Sequence, residues 1–257
     1  MKAHIILAHP DSKSFNANLA NIASNTFSKK GFEITISDLY SLGFDPCERA
    51  EHYGFTESDY RFDVQSVQRE ASKNNSLPSF VKEEIERLDN ADLAIFQYPM
   101  WWHLPPAILK GWFDRVFAYG EVYASKKRFE NGRFVGKKAL LSVTVGTSEE
   151  TYHHNGRSGD IDLMLWPIHF SIAYGGFSIL NPYIAYGVEA GLRYSDDEVI
   201  TKRLKAIELE YAERLNNFEQ DEILPFNKMS EWGDDGHIVE SAPVYTPFIR
   251  HNKELEL

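Results

Sequence analysis

Apolar positions follow two periods along this chain, and the two alternate. Ile5, Ile6 and Leu7 form a short apolar run ending in the polar string His9-Pro10-Asp11-Ser12-Lys13-Ser14, as a buried strand delivering a loop does. Phe15, Leu19, Ile22 and Thr26 then recur at helical spacing. The helix they predict ends near Lys29-Lys30-Gly31, where lysines suit the negative end of the dipole and glycine suits the exit. Glu33 to Ser37 alternates polar and apolar, so the chain opens with a strand, a helix and a strand. After Pro78, Val81, Ile85 and Leu88 mark a helix, and Asp92 to Gln97 reads as a third strand. A broad apolar face (Ile108, Leu109, Trp112, Phe113, Val116) predicts a helix from Pro106 to Phe117, and Ala139 to Thr144 a fourth strand. Met164, Leu165, Ile168 and Ile172 mark a further helix, and Phe177 to Leu180 a fifth strand. The last helix is predicted to start at Ser195, where Ser195 and Glu198 fit a capping box, and to continue through Ile200, Leu204, Ile207, Tyr211 and Leu215.

Strands alternating with helices imply an α/β protein with a five-stranded parallel sheet covered on both faces. Such sheets bind ligands beyond the carboxyl ends of their strands. Residues 45–76 are polar with little period and read as an insertion carrying short helices. Residues 1–218 then form one domain, and residues 219–257 an irregular tail packed on the body or on a partner subunit.

Composition narrows the partners. The 257 residues are 43% hydrophobic and 14% aromatic, enough for a substantial core. A net charge of -11 argues against nucleic acid and anionic membranes, though not against one phosphate-bearing ligand held locally. Cys47 is the single cysteine, so no intramolecular disulfide forms. No apolar stretch approaches a membrane span, and the opening residues lack a signal-peptide pattern; a soluble, cytoplasmic protein is expected.

Three predicted strand ends carry the candidate chemistry. The first loop, His9 to Asn16, has no glycine and so is neither a dinucleotide fingerprint nor a P-loop. It opens a helix, whose N-terminus favours an anion; Ser12, Ser14, Asn16, Lys13 and His9 either complete a phosphate cradle or merely cap the helix and end the strand. The loop after the third strand, Tyr98 to Pro106, holds Met100, Trp101, Trp102 and His103 between prolines. Tryptophans at such an edge suit a flat redox-active ring, or else an aromatic plug or a subunit contact. The loop after the fourth strand offers Thr144, Gly146, Thr147 and Ser148, then Tyr152, a residue able to stabilise charge developing during hydride transfer. His153 and His154 are adjacent and lack a third ligand, so a solvated pair is expected there and no metal.

These residues resemble the flavodoxin-like NAD(P)H:quinone oxidoreductases, including the mammalian quinone reductases and their bacterial relatives. The resemblance rests on Phe96-Gln97-Tyr98-Pro99-Met100-Trp101-Trp102 with Pro106 to Phe117, on Ala8-His9-Pro10 with Ser14-Phe15-Asn16, and on Thr144, Gly146, Tyr152, Gly156, Gly159-Asp160 and Leu165-Trp166-Pro167-Ile168. It runs from about Lys2 to Gly187. It implies a flavodoxin-like fold, a bound flavin, NAD(P)H as co-substrate, and two-electron, ping-pong reduction of a quinone by a homodimer whose partner chain completes each site. Members with a long insertion before the third strand tend to hold FAD and shorter ones FMN, so the insertion favours FAD. By the same resemblance His9, Ser14, Phe15 and Asn16 contact the phosphate and adenosine side of the cofactor. Pro99, Met100, Trp101, Trp102, Thr144, Gly146 and Thr147 surround its ring, with Tyr152 and Gly146 as catalytic positions. Trp102, His103, Tyr119 and Tyr123 line the acceptor pocket. One position departs: mammalian members carry a histidine before the Gly-Asp pair where this chain has Ser158, leaving a tyrosine–histidine proton relay incomplete unless His153 or His154 serves. Other readings keep the fold and change the role: a reductase of azo, nitro or ferric acceptors, a one-electron carrier, or an ancillary subunit of a potassium efflux system. The length and the Trp101-Trp102 pair count against the carrier.

Overall fold

The computed structural model describes residues 1–55, 61–189 and 195–251. Six strands, β1 (Lys2–Leu7), β2 (Glu33–Asp38), β3 (Leu93–Pro99), β4 (Lys138–Thr144), β5 (Ser178–Ile179) and β6 (Tyr183–Ala185), form one sheet in the order β2-β1-β3-β4-β5, with β6 also beside β4. Every pairing is parallel. The strand order reverses between β1 and β3, so the loops after those two strands flank the crevice where such sheets bind ligands.

The described residues hold six α-helices, α1 (Phe15–Lys29), α2 (Val64–Lys73), α3 (Ser79–Asn90), α4 (Ala107–Val116), α5 (Ile161–Tyr174) and α6 (Asp197–Asn216); α1 and α6 cover one face of the sheet, and α3, α4 and α5 the other. Strand side chains alternate between two cores, because successive side chains leave opposite faces. Leu93, Ile95 and Leu140 pack with Leu19 and Phe27 of α1 and Tyr211 and Leu215 of α6. Ala94, Phe96, Leu141 and Val143 pack with Leu88 of α3, Trp112 of α4 and Ile172 of α5. All seven residues of β3 are buried, which explains its unbroken apolar run.

The predicted fifth strand is present as β5, and a sixth that the apolar pattern did not predict follows it: Pro182 has no N–H for a ladder, Asn181 N–H donates to Glu222 C=O at 3.1 Å, and the chain resumes pairing with β4 as β6. One predicted cap is corrected. Ser195 is not a capping-box residue. The N-cap of α6 is Asp196, and Ser195 donates its hydroxyl to Glu189 Oε1 at 2.8 Å.

The insertion contains a 3₁₀ turn, Ala50–Tyr53, and α2, whose N-cap Asp63 accepts from Ser66 N–H at 2.8 Å. The tail lies on the body: Leu224 N–H donates to Ile179 C=O at 2.8 Å, Met229 N–H meets the Glu130 carboxylate at 2.9 Å, and Phe248 stacks on Trp166 at 4.9 Å. Among the described residues no helix is long and apolar enough to cross a membrane.

A buried polar cluster ties α3 to β1, β2 and α4. Glu84 accepts from Ser37 Oγ at 2.6 Å and Trp112 Nε1 at 2.7 Å, pairs with Arg87, and lies 3.7 Å from His4. Burial alone would raise its pKa, but hydrogen bonds involving His4, Ser37 and Trp112 outweigh this and hold it below the usual carboxylate range.

Candidate active site at the carboxyl edge

The loop after β1 folds back on itself before α1 begins. Ser14 is the N-cap, its Oγ accepting from Ala17 N–H at 3.1 Å, while Asp11 N–H meets His9 Nδ1 at 3.0 Å. The Ser14 hydroxyl oxygen thus caps the helix, while its O–H remains able to donate to a ligand. Phe15 is half-buried against the α1 core.

Asn16 turns inward. Its Oδ1 accepts from Gln97 Nε2 at 2.9 Å and its Nδ2 donates to Thr144 Oγ1 at 2.9 Å, so one buried amide bridges α1, β3 and β4. Asn16 and Thr144 are both buried and hold each other in place, Thr144 keeping its own O–H to donate.

After β3 the chain makes a tight turn. Trp101 and Leu104 exchange backbone hydrogen bonds of 2.9 and 3.1 Å, and the two residues between them, Trp102 and His103, both have positive φ, 50° and 65°. Two consecutive left-handed residues are the signature of a type I′ turn, a conformation normally left to Asn and Gly. Bulky side chains there store on the order of 1–2 kcal/mol each. The turn lifts Trp102 into solvent at 92% exposure. Loop three meets loop one where Trp101 faces the His9 ring, with centroids 6.1 Å apart. It meets loop four where Met100 N–H donates to Thr144 C=O at 2.9 Å.

Loop four frames a cavity of about 440 Å³, bordered by Gly146, Thr147, Glu150, Tyr186, Glu189 and Arg203. Thr147 C=O accepts from Gly187 N–H at 2.9 Å, which fastens the loop to the end of β6. A Cβ on Gly146 would meet nothing nearer than Val188 O at 3.9 Å, and the residue lacks a positive φ. Neither packing nor backbone conformation requires glycine there, and the residue borders the cavity. Tyr152 closes the 3₁₀ turn Glu149–Tyr152 and faces Tyr186 with ring centroids 6.0 Å apart. Burial, with Glu149, Asp162 and Tyr152 nearby, pushes the Tyr186 hydroxyl up to about 12. His153 lies beside Glu149 at 4.0 Å, and Asp160 of the Gly-Asp pair caps α5 by accepting from Asp162 N–H at 2.9 Å. Among the described residues no His, Cys, Asp and Glu group is placed to hold a metal ion.

The structure therefore gathers His9, Ser14, Phe15, Asn16, Pro99, Met100, Trp101, Trp102, His103, Thr144, Gly146, Thr147 and Tyr152 at one edge. Tyr119 and Tyr123 are elsewhere. They follow the far end of α4 and pack ring to ring at 5.3 Å, and Tyr123 borders a second cavity of about 450 Å³ with Phe117, Phe170 and Tyr174. Tyr186, Glu189 and Arg203 escaped the sequence reading; Tyr186-Gly187 directly follows the alternating Tyr183-Ile184-Ala185, a strand-end signal of the kind used for the other loops.

Residues 1–210 match the family model described as a flavodoxin-like fold. The mouse ribosyldihydronicotinamide dehydrogenase [quinone] is 38% identical over 225 residues, 86% of this chain and 93% of that protein. The guinea-pig NAD(P)H dehydrogenase [quinone] 1 is 39% identical over 189 residues, 73% of this chain and 69% of that protein. A solved Klebsiella pneumoniae structure, described as a candidate quinone reductase, superposes with a TM-score of 0.78 at 32% identity, covering 94% of this chain and 92% of that one. On sequence, sheet order and strand-end loops together, the chain is an oxidoreductase belonging to the flavodoxin-like NAD(P)H:quinone oxidoreductase family.

Proposed function

We propose that the protein is an FAD-dependent reductase that takes two electrons from NAD(P)H and passes them to a quinone. The observation that carries this reading is the pairing, at one sheet edge, of a glycine opening into a cavity with a strained turn that exposes an indole. Both features suit a flat ring lying between loops three and four, and neither is explained by the protein's own packing. When bound, the flavin would supply hydride acceptance and donation, so that nicotinamide and quinone use one pocket in turn.

The residues have separable tasks. Backbone N–H groups at the start of α1, with His9, would hold the cofactor phosphates. Asn16 would fix Thr144 and, through it, the floor beneath the ring. Trp101 and Trp102 would stack and exclude water, and the Tyr152 hydroxyl would donate a hydrogen bond to charge developing at the ring edge. The insertion and the family resemblance support FAD over FMN.

A homodimer fits the same reading. Trp102 projects just before α4 begins, and Tyr123 and its cavity lie just beyond where it ends. Two copies crossing antiparallel at α4 would set the turn of one against the Tyr123 cavity of the other, giving two equivalent sites. An anaerobic titration tests the activity: NADH or NADPH should bleach the flavin directly to its two-electron reduced form, and menadione should reoxidise it. A long-lived one-electron form, or reduction without reoxidation by any quinone, would refute the reading.

A further inference from the structure

We propose that α2 of the insertion is a positioning element for the acceptor pocket, holding the turn that carries Tyr119 and Tyr123. This rests on the reading above, in which those tyrosines line the pocket.

The observations lie on one face of one helix. Gln65, Gln68, Arg69 and Ser72 stand at i, i+3, i+4 and i+7, the spacing of a single helical stripe. Each addresses the turn. Gln65 lies beside the Tyr123 hydroxyl. Gln68, 2% exposed, accepts the Tyr119 N–H through Oε1 at 2.9 Å. The Arg69 guanidinium sits over the Tyr119 ring at 5.2 Å. Ser72 Oγ donates to Glu121 Oε2 at 2.7 Å. The stripe is polar because its partner is a turn rich in backbone groups and hydroxyls, not a core.

The turn is shaped for this approach. Gly120 has φ +91° and donates its N–H to Tyr123 C=O at 2.7 Å; a Cβ there would stand 3.3 Å from Arg69 Cα and 3.4 Å from Ser72 Cβ. The Gln68 amide is itself fixed, its Nε2 donating to Glu48 Oε2 at 3.0 Å, and Tyr53 OH reaches the same oxygen at 3.1 Å. From the other side Arg133 binds Asp89 through Nε and Nη2, at 2.9 and 2.7 Å, and pairs with the Glu121 carboxylate. The turn is gripped between α2 and Arg133.

The test compares wild-type holoenzyme with Gln68→Met, which keeps volume and loses the amide's hydrogen bonds, and with the Arg69→Met/Ser72→Ala double variant, which changes partly exposed contacts and serves if Gln68→Met does not fold. Amide hydrogen exchange across residues 119–123 should quicken about tenfold, and KM for menadione should rise about tenfold while kcat stays within about twofold. Unchanged exchange would show that α2 does not hold the turn. Faster exchange with unchanged KM would show that the turn is not part of the acceptor pocket. Either result overturns the proposal. A wild-type protein that reduces no quinone refutes the functional reading instead, and the exchange comparison alone then decides whether α2 grips the turn.

Discussion

The two turns flanking α4 are built from the same materials to opposite ends. Before the helix, Trp102 and His103 adopt left-handed conformations without glycine, and the turn is held by one pair of backbone hydrogen bonds. After it, the positive φ is given to Gly120, and α2 and Arg133 grip the turn from two sides. The first turn spends stability to present an aromatic ring; the second spends contacts to immobilise two. Strain without compensating contacts marks the place where a ligand is expected to complete the structure.

Four measurements test that contrast. The largest effect is expected on the gripped side, through His169 of α5, whose neighbour Phe170 borders the Tyr123 cavity. His169 is buried with no partner at Nε2, and burial depresses its pKa from 6.5 to about 4. The unfolded imidazole takes its proton near 6.5 and the folded one only near 4. The neutral form's contribution is therefore complete above pH 6.5 and is lost as pH falls through this window, on the order of 3 kcal/mol in all. Urea midpoints measured from pH 7 to pH 4 should fall steeply in the wild type and more gently in His169→Leu; parallel curves would contradict this.

Next, Trp102→Ala should lower kcat/KM for menadione about 100-fold, or roughly 2.7 kcal/mol of transition-state stabilisation, while the melting temperature stays unchanged because the side chain touches little of its own chain. A loss of stability instead would make Trp102 a packing residue. Gly146→Ala should leave stability within about 0.5 kcal/mol yet weaken flavin binding about tenfold, read by fluorescence titration of the stripped protein. Unchanged affinity would mean that nothing approaches the glycine. The smallest effect is expected from His103→Gly, which relieves a left-handed residue and should raise stability by about 1 kcal/mol in denaturant titration.

Much of this was legible in the residues. Apolar runs located β1, β3 and β4 because buried parallel strands leave no polar alternation, and the loops after them do converge. What escaped depends on where a side chain turns. Asn16 looks the same in sequence whether it faces a ligand or a neighbour, and only the folded chain shows it bridging Gln97 and Thr144. The left-handed pair at Trp102 and His103 carries no glycine to announce it. Ser195 and Glu198 have capping-box spacing, yet the Glu189 carboxylate competes for the serine hydroxyl and the helix starts one residue later than a Ser195 cap would set it. The stripe on α2 has perfect helical spacing, but its members are polar, and a search for apolar period passes over it.

The central proposal is a flavin ring held at the carboxyl edge. The most direct measurement is the absorbance spectrum of the purified protein, with the chromophore released by heat and identified by mass. A yellow protein releasing FAD at about one per chain is the predicted result. A colourless protein that binds neither FAD nor FMN on reconstitution would contradict it.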